Sequence, residues 1–210
     1  FYKKNGYCFI ENFLDKDSYS SLLNNWPSEN LFPPILSPTK YYSFSFGFEN
    51  QNAKDLINLT TREKIEHVKN IKKSKILEKL YKFILSDENQ KNFSNLYGAD
   101  EDWKCYLIFA TIAKENAYLI PHRDKVNFNQ DINGSFNVSF FVDGKNEFPE
   151  HSGALGLYED NNFGKSIFIP SNLKNTLFIY DTKKNFYHGF PRIHKGCYRK
   201  TINMAFLKTN

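Results

Sequence analysis

The chain has 210 residues, a length that predicts a single domain with a sizeable hydrophobic core. Aromatic residues make up 17% of it, which favours packed β-sheets over a helix bundle. The net charge is +5, but the basic residues are scattered among acidic ones, which argues against nucleic acid as a partner. The sequence has no apolar run of the roughly 20 residues that a membrane span requires, so we expect no membrane partner.

The cysteines exclude two further classes of protein. Cys8, Cys105 and Cys197 are an odd number at wide spacing, which gives neither a disulfide framework nor a zinc signature. A reducing compartment fits such free thiols best, and we therefore expect a cytoplasmic protein. The sequence leaves the oligomeric state open.

Taken in chain order, the first hundred residues predict mainly helical support. Gly6 to Phe13 alternates enough for a short strand, and Asp15 begins a helix by its capping chemistry. The aromatic run from Tyr41 to Phe48 is typical of either a strand or a lid. Apolar residues over 61–87 follow a 3.6-residue period and predict helical structure.

Strand patterns separated by turn-rich segments dominate residues 101–210. The predicted strands are Lys104 to Lys114, Phe136 to Asp143, Ala154 to Glu159, Ser166 to Ile169, Thr176 to Tyr180 and Cys197 to Lys208. Helices followed by many short strands indicate an α+β protein. We expect a double-stranded β-helix, or jelly-roll, core at 101–210 with the N-terminal helices packed on one outer face.

His122 and Asp124 are the candidate metal ligands. They stand at positions i and i+2 after Pro121, and such residues of an extended segment project to the same side. Two imidazoles and one carboxylate can hold a divalent iron on one triangular face and leave three positions open. The third ligand must come from a distant segment, because a facial site needs a third direction of approach.

Three histidines compete for the third ligand position. His188 is favoured because it lies between the strand ending at Tyr180 and the last predicted strand. His194 is the alternative, although it leaves little room for a turn before Arg199. His151 lies in a charged loop and is expected to face solvent.

Arg199 is the candidate anion-binding residue. Alternation in the last strand places Arg199 and Thr201 on the same face. A guanidinium and a hydroxyl that point into a β-barrel are costly unless they meet an anion. Arginine binds a carboxylate through two parallel hydrogen bonds, so the pair predicts a clamp for a dicarboxylate, with Thr201 adding a hydroxyl bond.

Several segments resemble the iron(II)/2-oxoglutarate-dependent dioxygenases, and the prolyl-hydroxylase-like branch most closely. The matching segments are Asn5 to Asp15, the ligand pair in His122-Arg123-Asp124, Ser152 to Tyr158 at the family's Gly-Gly-x-Leu strand, and Gly196 to Ile202 at its Gly-x-Arg-x-Ser/Thr ending. His188 falls where the family has its distal ligand. One departure concerns the strand after the ligand pair, where many prolyl hydroxylases carry a tyrosine that contacts the cosubstrate. Phe141 or Asn137 stands there, and Asn137 is our candidate for that contact.

The resemblance implies an oxidoreductase. In it His122, Asp124 and His188 would hold Fe(II), while Arg199 and Thr201 would bind 2-oxoglutarate. Such an enzyme uses O2 to hydroxylate an unactivated C–H bond and releases succinate and CO2. The substrate would be a peptidyl residue, proline among the candidates, or a small molecule. The alternative is a non-catalytic jelly-roll module that binds or senses a ligand.

Overall fold

The computed structural model describes residues 5–35, 37–47, 53–97, 103–123, 135–146, 153–182 and 186–208. The α-helices in these ranges are α1 (Lys16–Asn24), α2 (Ala53–Asn58), α3 (Thr61–His67), α4 (Lys75–Ile84) and α5 (Asp87–Tyr97). Short 3-10 helices lie at Glu29–Leu31 and Ile71–Lys73. The strands are β1 (Tyr7–Glu11), β2 (Pro34–Ile35), β3 (Ser37–Phe46), β4 (Trp103–Lys114), β5 (Leu119–His122), β6 (Ser135–Lys145), β7 (Gly156–Tyr158), β8 (Ser166–Phe168), β9 (Thr176–Asp181), β10 (Tyr187–Phe190) and β11 (Tyr198–Lys208).

Side-chain caps set the starts of the early helices. The Asp15 carboxylate accepts hydrogen bonds from the backbone N–H groups of Asp17 and Ser18, as the capping signal predicts, and so begins α1. Thr60 and Glu63 form a reciprocal capping box at the start of α3. These local contacts satisfy backbone donors that a helix leaves unpaired, so the helix starts follow from the sequence.

The helical structure predicted over 61–87 consists of two α-helices, α3 and α4, with a short 3-10 helix between them. The chain turns between α3 and α4, where Asn70 adopts a left-handed backbone with φ of 64°. Asparagine tolerates that conformation better than most residues, and it interrupts the helical hydrogen bonds. Ser74 then starts α4 by accepting a hydrogen bond from the Leu77 backbone N–H. The apolar period runs through both helices because both contribute to the same hydrophobic cluster, so periodicity alone does not reveal the break.

Two antiparallel sheets organise the described part of the chain. One has seven strands in the order β1-β9-β6-β11-β4-β3-β2, and the other has four in the order β5-β10-β7-β8. The chain crosses between the sheets repeatedly after β4, since β5, β7, β8 and β10 belong to the smaller sheet and β6, β9 and β11 to the larger. The predicted α+β class is confirmed, and the aromatic run near Tyr41 belongs to a strand, β3.

Two hydrophobic clusters occupy the two faces of the larger sheet. On one face, Leu77 and Tyr81 of α4 pack with Ile108 of β4 and Met204 of β11. On the other face, residues from both sheets meet: Phe141 and Phe178 of the larger sheet, and Leu157 and Phe190 of the smaller one. The helices therefore cover one face of the larger sheet, as predicted, and the second face is left for a site between the sheets.

No helix in the described ranges has both the length and the apolar character needed to cross a membrane.

Candidate metal and anion site

Pairing of β5 with β10 brings two of the predicted ligands together. His122 is the direct cross-strand partner of His188 in the smaller sheet. The centroids of the two imidazole rings are 4.4 Å apart, with 49° between the ring planes. Residues paired across antiparallel strands project to the same face, so both imidazoles can reach one ion. Neither short strand was predicted from the sequence.

A β-bulge in β5 directs His122 toward its partner. Leu119 pairs with Phe190, whereas His122 pairs with His188, so β5 has one residue more than β10 between the two pairs. Without the bulge, Leu119 and His122 would stand at i and i+3 of a regular strand and project to opposite faces. With it, Leu119 packs against the cluster between the sheets while His122 contacts His188. Bulges are common beside functional sites because they redirect one side chain in this way.

The hydrogen bond of His122 prepares one ring nitrogen for a metal. Its Nδ1 lies 2.9 Å from the carbonyl oxygen of Ile120. A carbonyl only accepts hydrogen bonds, so Nδ1 carries the proton and the lone pair is on Nε2. Metal-bound histidines usually donate their other ring N–H to such an acceptor, which fixes the tautomer and the ring orientation.

The other candidate ligands are placed as follows. Asp124 and His151 lie outside the described residues. Among the residues that the structure does describe, no third histidine, cysteine or carboxylate joins His122 and His188. His194 is solvent-exposed on the turn before β11, where its backbone carbonyl accepts from Cys197. The partner of His122 is therefore His188, the histidine favoured from the sequence.

Arg199 lies buried between the sheets. It is 3% exposed, and its guanidinium carbon is 3.9 Å from the centroid of the Phe190 ring. Its Nη1 donates a hydrogen bond of 2.7 Å to the carbonyl of Gly153. Gly153 has φ of +75°, a backbone conformation that favours glycine. A Cβ at Gly153 would also come within 2.6 Å of the Ile193 side chain, so the loop can present its carbonyl only with glycine there.

The contacts of Arg199 leave its charge uncompensated within the described ranges. Its Nε has no hydrogen-bond partner among the described residues, and none of their carboxylates pairs with it. Burial lowers the pKa of the guanidinium to about 9, an effect that nearby Tyr180 partly opposes, so Arg199 remains a cation at neutral pH. A buried charge costs several kcal/mol, whereas a desolvated cation–π contact returns only about 2 kcal/mol. An anion bound to the guanidinium would compensate the free-energy cost of its buried charge.

Phe190 relates the arginine to the histidine pair. It lies two residues after His188 on β10 and faces the same cluster between the sheets. Two residues of a strand span about 7 Å along the backbone and project to the same face, so the guanidinium over Phe190 lies on the side of β10 that carries the His188 imidazole. The donors therefore fit a ligand that chelates a metal at one end and carries an anion at the other.

Thr201 belongs to a row of polar side chains across the inner face of the larger sheet. It is fully buried, and its hydroxyl bonds with that of Thr111 on β4. It also accepts from Asn203 Nδ2 at 3.0 Å, and Asn203 in turn accepts from Ser139 of β6 at 3.0 Å. The predicted strand parity of Arg199 and Thr201 agrees with their burial, while the role of Thr201 toward a carboxylate stays a prediction.

Asn137 contacts Tyr180, which the sequence analysis did not identify as a site residue. Its Nδ2 donates to the hydroxyl of Tyr180, its cross-strand partner on β9, at 3.2 Å. The Tyr180 ring lies 5.1 Å from that of His188. Phe141, the other residue considered for this place, is fully buried in the apolar cluster between the sheets. β9 thus supplies a polar group beside His188.

Solved structures share this architecture at low sequence identity. A prolyl-4-hydroxylase of Pseudomonas putida matches with a TM-score of 0.60 at 10% identity, over 100% of this chain and 95% of that one. A prolyl hydroxylase of Trichoplax adhaerens, in complex with a hypoxia-inducible-factor peptide fragment, matches with a TM-score of 0.63 at 14% identity, over 98% and 85%. HygX of Streptomyces hygroscopicus, with nickel, 2-oxoglutarate and hygromycin B bound, matches with 0.63 at 10% identity, over 99% and 85%.

The chain has the fold of the 2-oxoglutarate- and iron(II)-dependent oxygenases. The predicted resemblance to this family and to its prolyl-hydroxylase branch is confirmed for the fold. No family model matches the sequence, and no curated protein matches it either.

We predict that Gly189→Ala disrupts the histidine pair. A Cβ at Gly189 would lie 2.4 Å from the Leu119 carbonyl oxygen and 2.8 Å from Pro121 Cα, both backbone atoms of β5. Separating β5 from β10 should destabilise the protein by about 1–3 kcal/mol and weaken metal binding, measured by urea unfolding and metal titration. Gly196→Ala is the control: nothing lies within 4 Å of a Cβ there, but its φ of +74° strains an alanine, so this variant should lose stability and keep its metal affinity. Unchanged metal affinity in folded Gly189→Ala would show that the pairing does not set the site.

We also predict that Arg199→Met stabilises the ligand-free protein by about 1–2 kcal/mol, because the variant removes an uncompensated buried charge. Urea unfolding without added anions measures the change. Lys200→Met is the matched control, since Lys200 is on the same strand with its amine 3.7 Å from the Asp143 carboxylate and partly in solvent. That control should change stability by less than about 0.5 kcal/mol. A loss of stability in Arg199→Met would mean that the guanidinium already has an anionic partner in the protein.

Proposed function

We propose that this protein is an Fe(II)/2-oxoglutarate-dependent dioxygenase that hydroxylates an unactivated C–H bond. The observation that carries the proposal is the combination, in an oxygenase fold, of a cross-strand histidine pair with a buried arginine cation over Phe190, two residues after His188 on the same strand. A histidine pair alone is common in proteins, and so is a buried arginine. Their common position between two sheets has a direct explanation in a metal-chelating oxo acid.

In the proposed site, His122 and His188 hold the metal with Asp124, and each protein group has a defined task. The Ile120 carbonyl keeps the proton of His122 on Nδ1, so that Nε2 is the ligand atom. Arg199 binds the distal carboxylate of 2-oxoglutarate, with Thr201 and Asn137 as further predicted contacts. The bound iron and its cosubstrate supply the oxidising chemistry, with O2 consumed and succinate and CO2 released.

The apolar surroundings give the site a low local polarity. Phe178 and Phe190 lie in the cluster between the sheets together with Leu157, and all three are fully buried. Exclusion of water strengthens the interaction between Arg199 and a carboxylate, because charges attract more strongly where the local dielectric is low. It also protects a reactive centre from side reactions with solvent.

We further propose that residues 1–210 form a single domain and that the two sheets are a double-stranded β-helix, or jelly roll. The alternation of consecutive strands between the sheets supports the jelly roll. We propose a cytoplasmic location because Cys8, Cys105 and Cys197 are free thiols. Burial raises the pKa of the Cys105 thiol to about 12, which keeps it protonated and unreactive.

The proposed substrate is a peptidyl residue, proline among the candidates, or a small molecule. Both kinds of ligand occur in solved structures with this fold, as a hypoxia-inducible-factor peptide in one and hygromycin B in the other. An assay of succinate release separates the two: release that requires an added peptide indicates a peptidyl substrate, and release that requires a pool of small molecules indicates a small-molecule substrate. Metal and 2-oxoglutarate binding without turnover on any substrate would favour the alternative, a non-catalytic binding or sensor module.

Anaerobic addition of Fe(II) and 2-oxoglutarate tests the metal ligands. We predict the charge-transfer absorption of a chelate in the wild type and its loss in His188→Ala, because one imidazole cannot complete the facial site. His194→Ala is the control and should retain the absorption, since His194 is exposed on the turn before β11. If His194→Ala loses the band and His188→Ala keeps it, the ligand assignment is wrong.

Separate titrations test the role of Arg199. Arg199→Ala should weaken 2-oxoglutarate by about a hundredfold or more, because a bidentate charged hydrogen bond is lost. The Fe(II) affinity of this variant should change by less than about threefold, because Arg199 is not one of the proposed metal ligands. Isothermal titration under nitrogen measures both constants. An equal loss of Fe(II) affinity would show that the substitution disrupts the whole site.

A further inference from the structure

A groove lies between α1 and α4 in the helical layer, which covers the face of the larger sheet opposite to the candidate site. Apolar side chains form most of its lining, with Leu22 on the α1 side and Leu80 and Phe83 on the α4 side. Its volume is about 250 Å³. Leu22 is buried, whereas Phe83 is 50% exposed, so the groove reaches from the hydrophobic core to the solvent.

The sequence of α4 arranges its side chains in three stripes. Within each stripe the residues stand at i, i+4 and i+7, which places them on one side of a helix, and consecutive stripes are about 100° apart. The first stripe is buried in the helical cluster and consists of Leu77, Tyr81 and Ile84. The second stripe lines the groove and consists of Ile76, Leu80 and Phe83. The third stripe is exposed along the outer edge of the groove and consists of Lys75, Lys79 and Lys82.

The second stripe is an apolar surface that the described residues cover only in part. Ile76 and Leu80 are half-buried against the helical cluster, and Phe83 is half exposed. A single exposed apolar residue is ordinary on a protein surface. Here the exposed ring continues an open apolar groove with a charged edge, and such a surface is typical of a site for another macromolecule.

The charge along the α4 edge of the groove is positive. Lys82 pairs with Glu78 at 2.6 Å, whereas Lys75 and Lys79 lie within ion-pair distance of no carboxylate among the described residues. On the α1 side, the carboxylate of Asp15 is engaged by the backbone N–H groups that it caps. A partner with acidic side chains on the flank that faces α4 would therefore complement the groove.

The dimensions of the groove fit a helix better than a small molecule. Its volume lies below the roughly 300–1,000 Å³ of pockets that enclose drug-sized ligands, so it holds a few side chains rather than a whole ligand. α4 has 10 residues and is about 15 Å long, which matches about three turns of a partner helix. A helix that docks in an apolar groove inserts anchors at i, i+3 or i+4, and i+7, the same spacing as the stripes of α4.

We propose that this groove binds an amphipathic α-helix of a partner protein. Apolar side chains of that helix pack on Leu80 and Phe83, and acidic side chains on one of its flanks pair with Lys75 and Lys79. The inference is independent of the proposed function, because the helical cluster and the cluster between the sheets lie on opposite faces of the larger sheet.

A display library of amphipathic helices tests the proposal on the complete protein. Each helix has about 15 residues, with leucine fixed at i, i+4 and i+7 and random residues elsewhere. Selection on wild type, with Phe83→Ser as the counter-target, should enrich helices that carry Asp or Glu along one flank of the leucine stripe. Fluorescence anisotropy of the enriched helix then measures its affinity for wild type and for each variant.

Matched variants separate the groove from the rest of the helical layer. Phe83→Ser should weaken binding of the enriched helix by about tenfold or more, because an apolar anchor is lost. Leu96→Ser should change it by less than about twofold, since Leu96 is 41% exposed on α5 and does not line the groove. Lys79→Glu should weaken binding by about tenfold, and a helix with lysine on the same flank should restore it. Lys91→Glu, at an exposed lysine of α5, is the control for charge.

Several outcomes would overturn the proposal. Enrichment of neutral or basic helices would do so, and so would equal enrichment on wild type and on the counter-target. Sedimentation of wild type, but not of Phe83→Ser, with vesicles of phosphatidylcholine and phosphatidylserine would assign the groove to a membrane surface instead. Light scattering that shows a wild-type dimer and a Phe83→Ser monomer would assign it to a second copy of the chain. Lys79→Glu changes an exposed residue and keeps the test valid if Phe83→Ser fails to fold.

Discussion

The cross-strand pair of His122 and His188 is the contact on which the arrangement of the site depends. The pair forms because β5 and β10 are neighbours in the smaller sheet and Gly189 lets their backbones approach closely. A bulge in β5 also turns the His122 side chain to the same face as His188. Each of these conditions concerns only the two short strands β5 and β10. The larger sheet, which carries Arg199, forms the opposite side of the space between the sheets.

Arg199 places an energetic constraint on the opposite side of the same space. A guanidinium on a central strand of the larger sheet, with an aromatic ring on one side and a single backbone carbonyl as acceptor, is a poor choice for stability alone. The sheet around it tolerates polar groups only by pairing them with one another, as the row from Thr111 to Ser139 shows. Arg199 differs from that row because its Nε has no acceptor among the described residues.

The long strands and the burial of Arg199 were predictable from the sequence, whereas the two short strands that carry the histidines were missed for physical reasons. Long strands such as β4 and β11 carry clear patterns, and Arg199 follows from parity in β11. The strands that bear the histidines were missed because each has only four residues, one with a proline and the other with a glycine. Tyr180 was missed because β9 is buried on both faces, so that its pattern does not reveal which face borders the site.

The position of β11 in the larger sheet has a consequence for how the protein is made. β11 pairs with β4 on one side and β6 on the other, although ten described strands precede it in the chain. A ribosome therefore delivers two partial sheets, each with a long open edge, before the strand that joins them emerges. Such edges readily pair with other chains, so nascent protein should depend on chaperones until β11 inserts. Arg199, which lies on β11, reaches its buried position between the sheets only when this strand inserts.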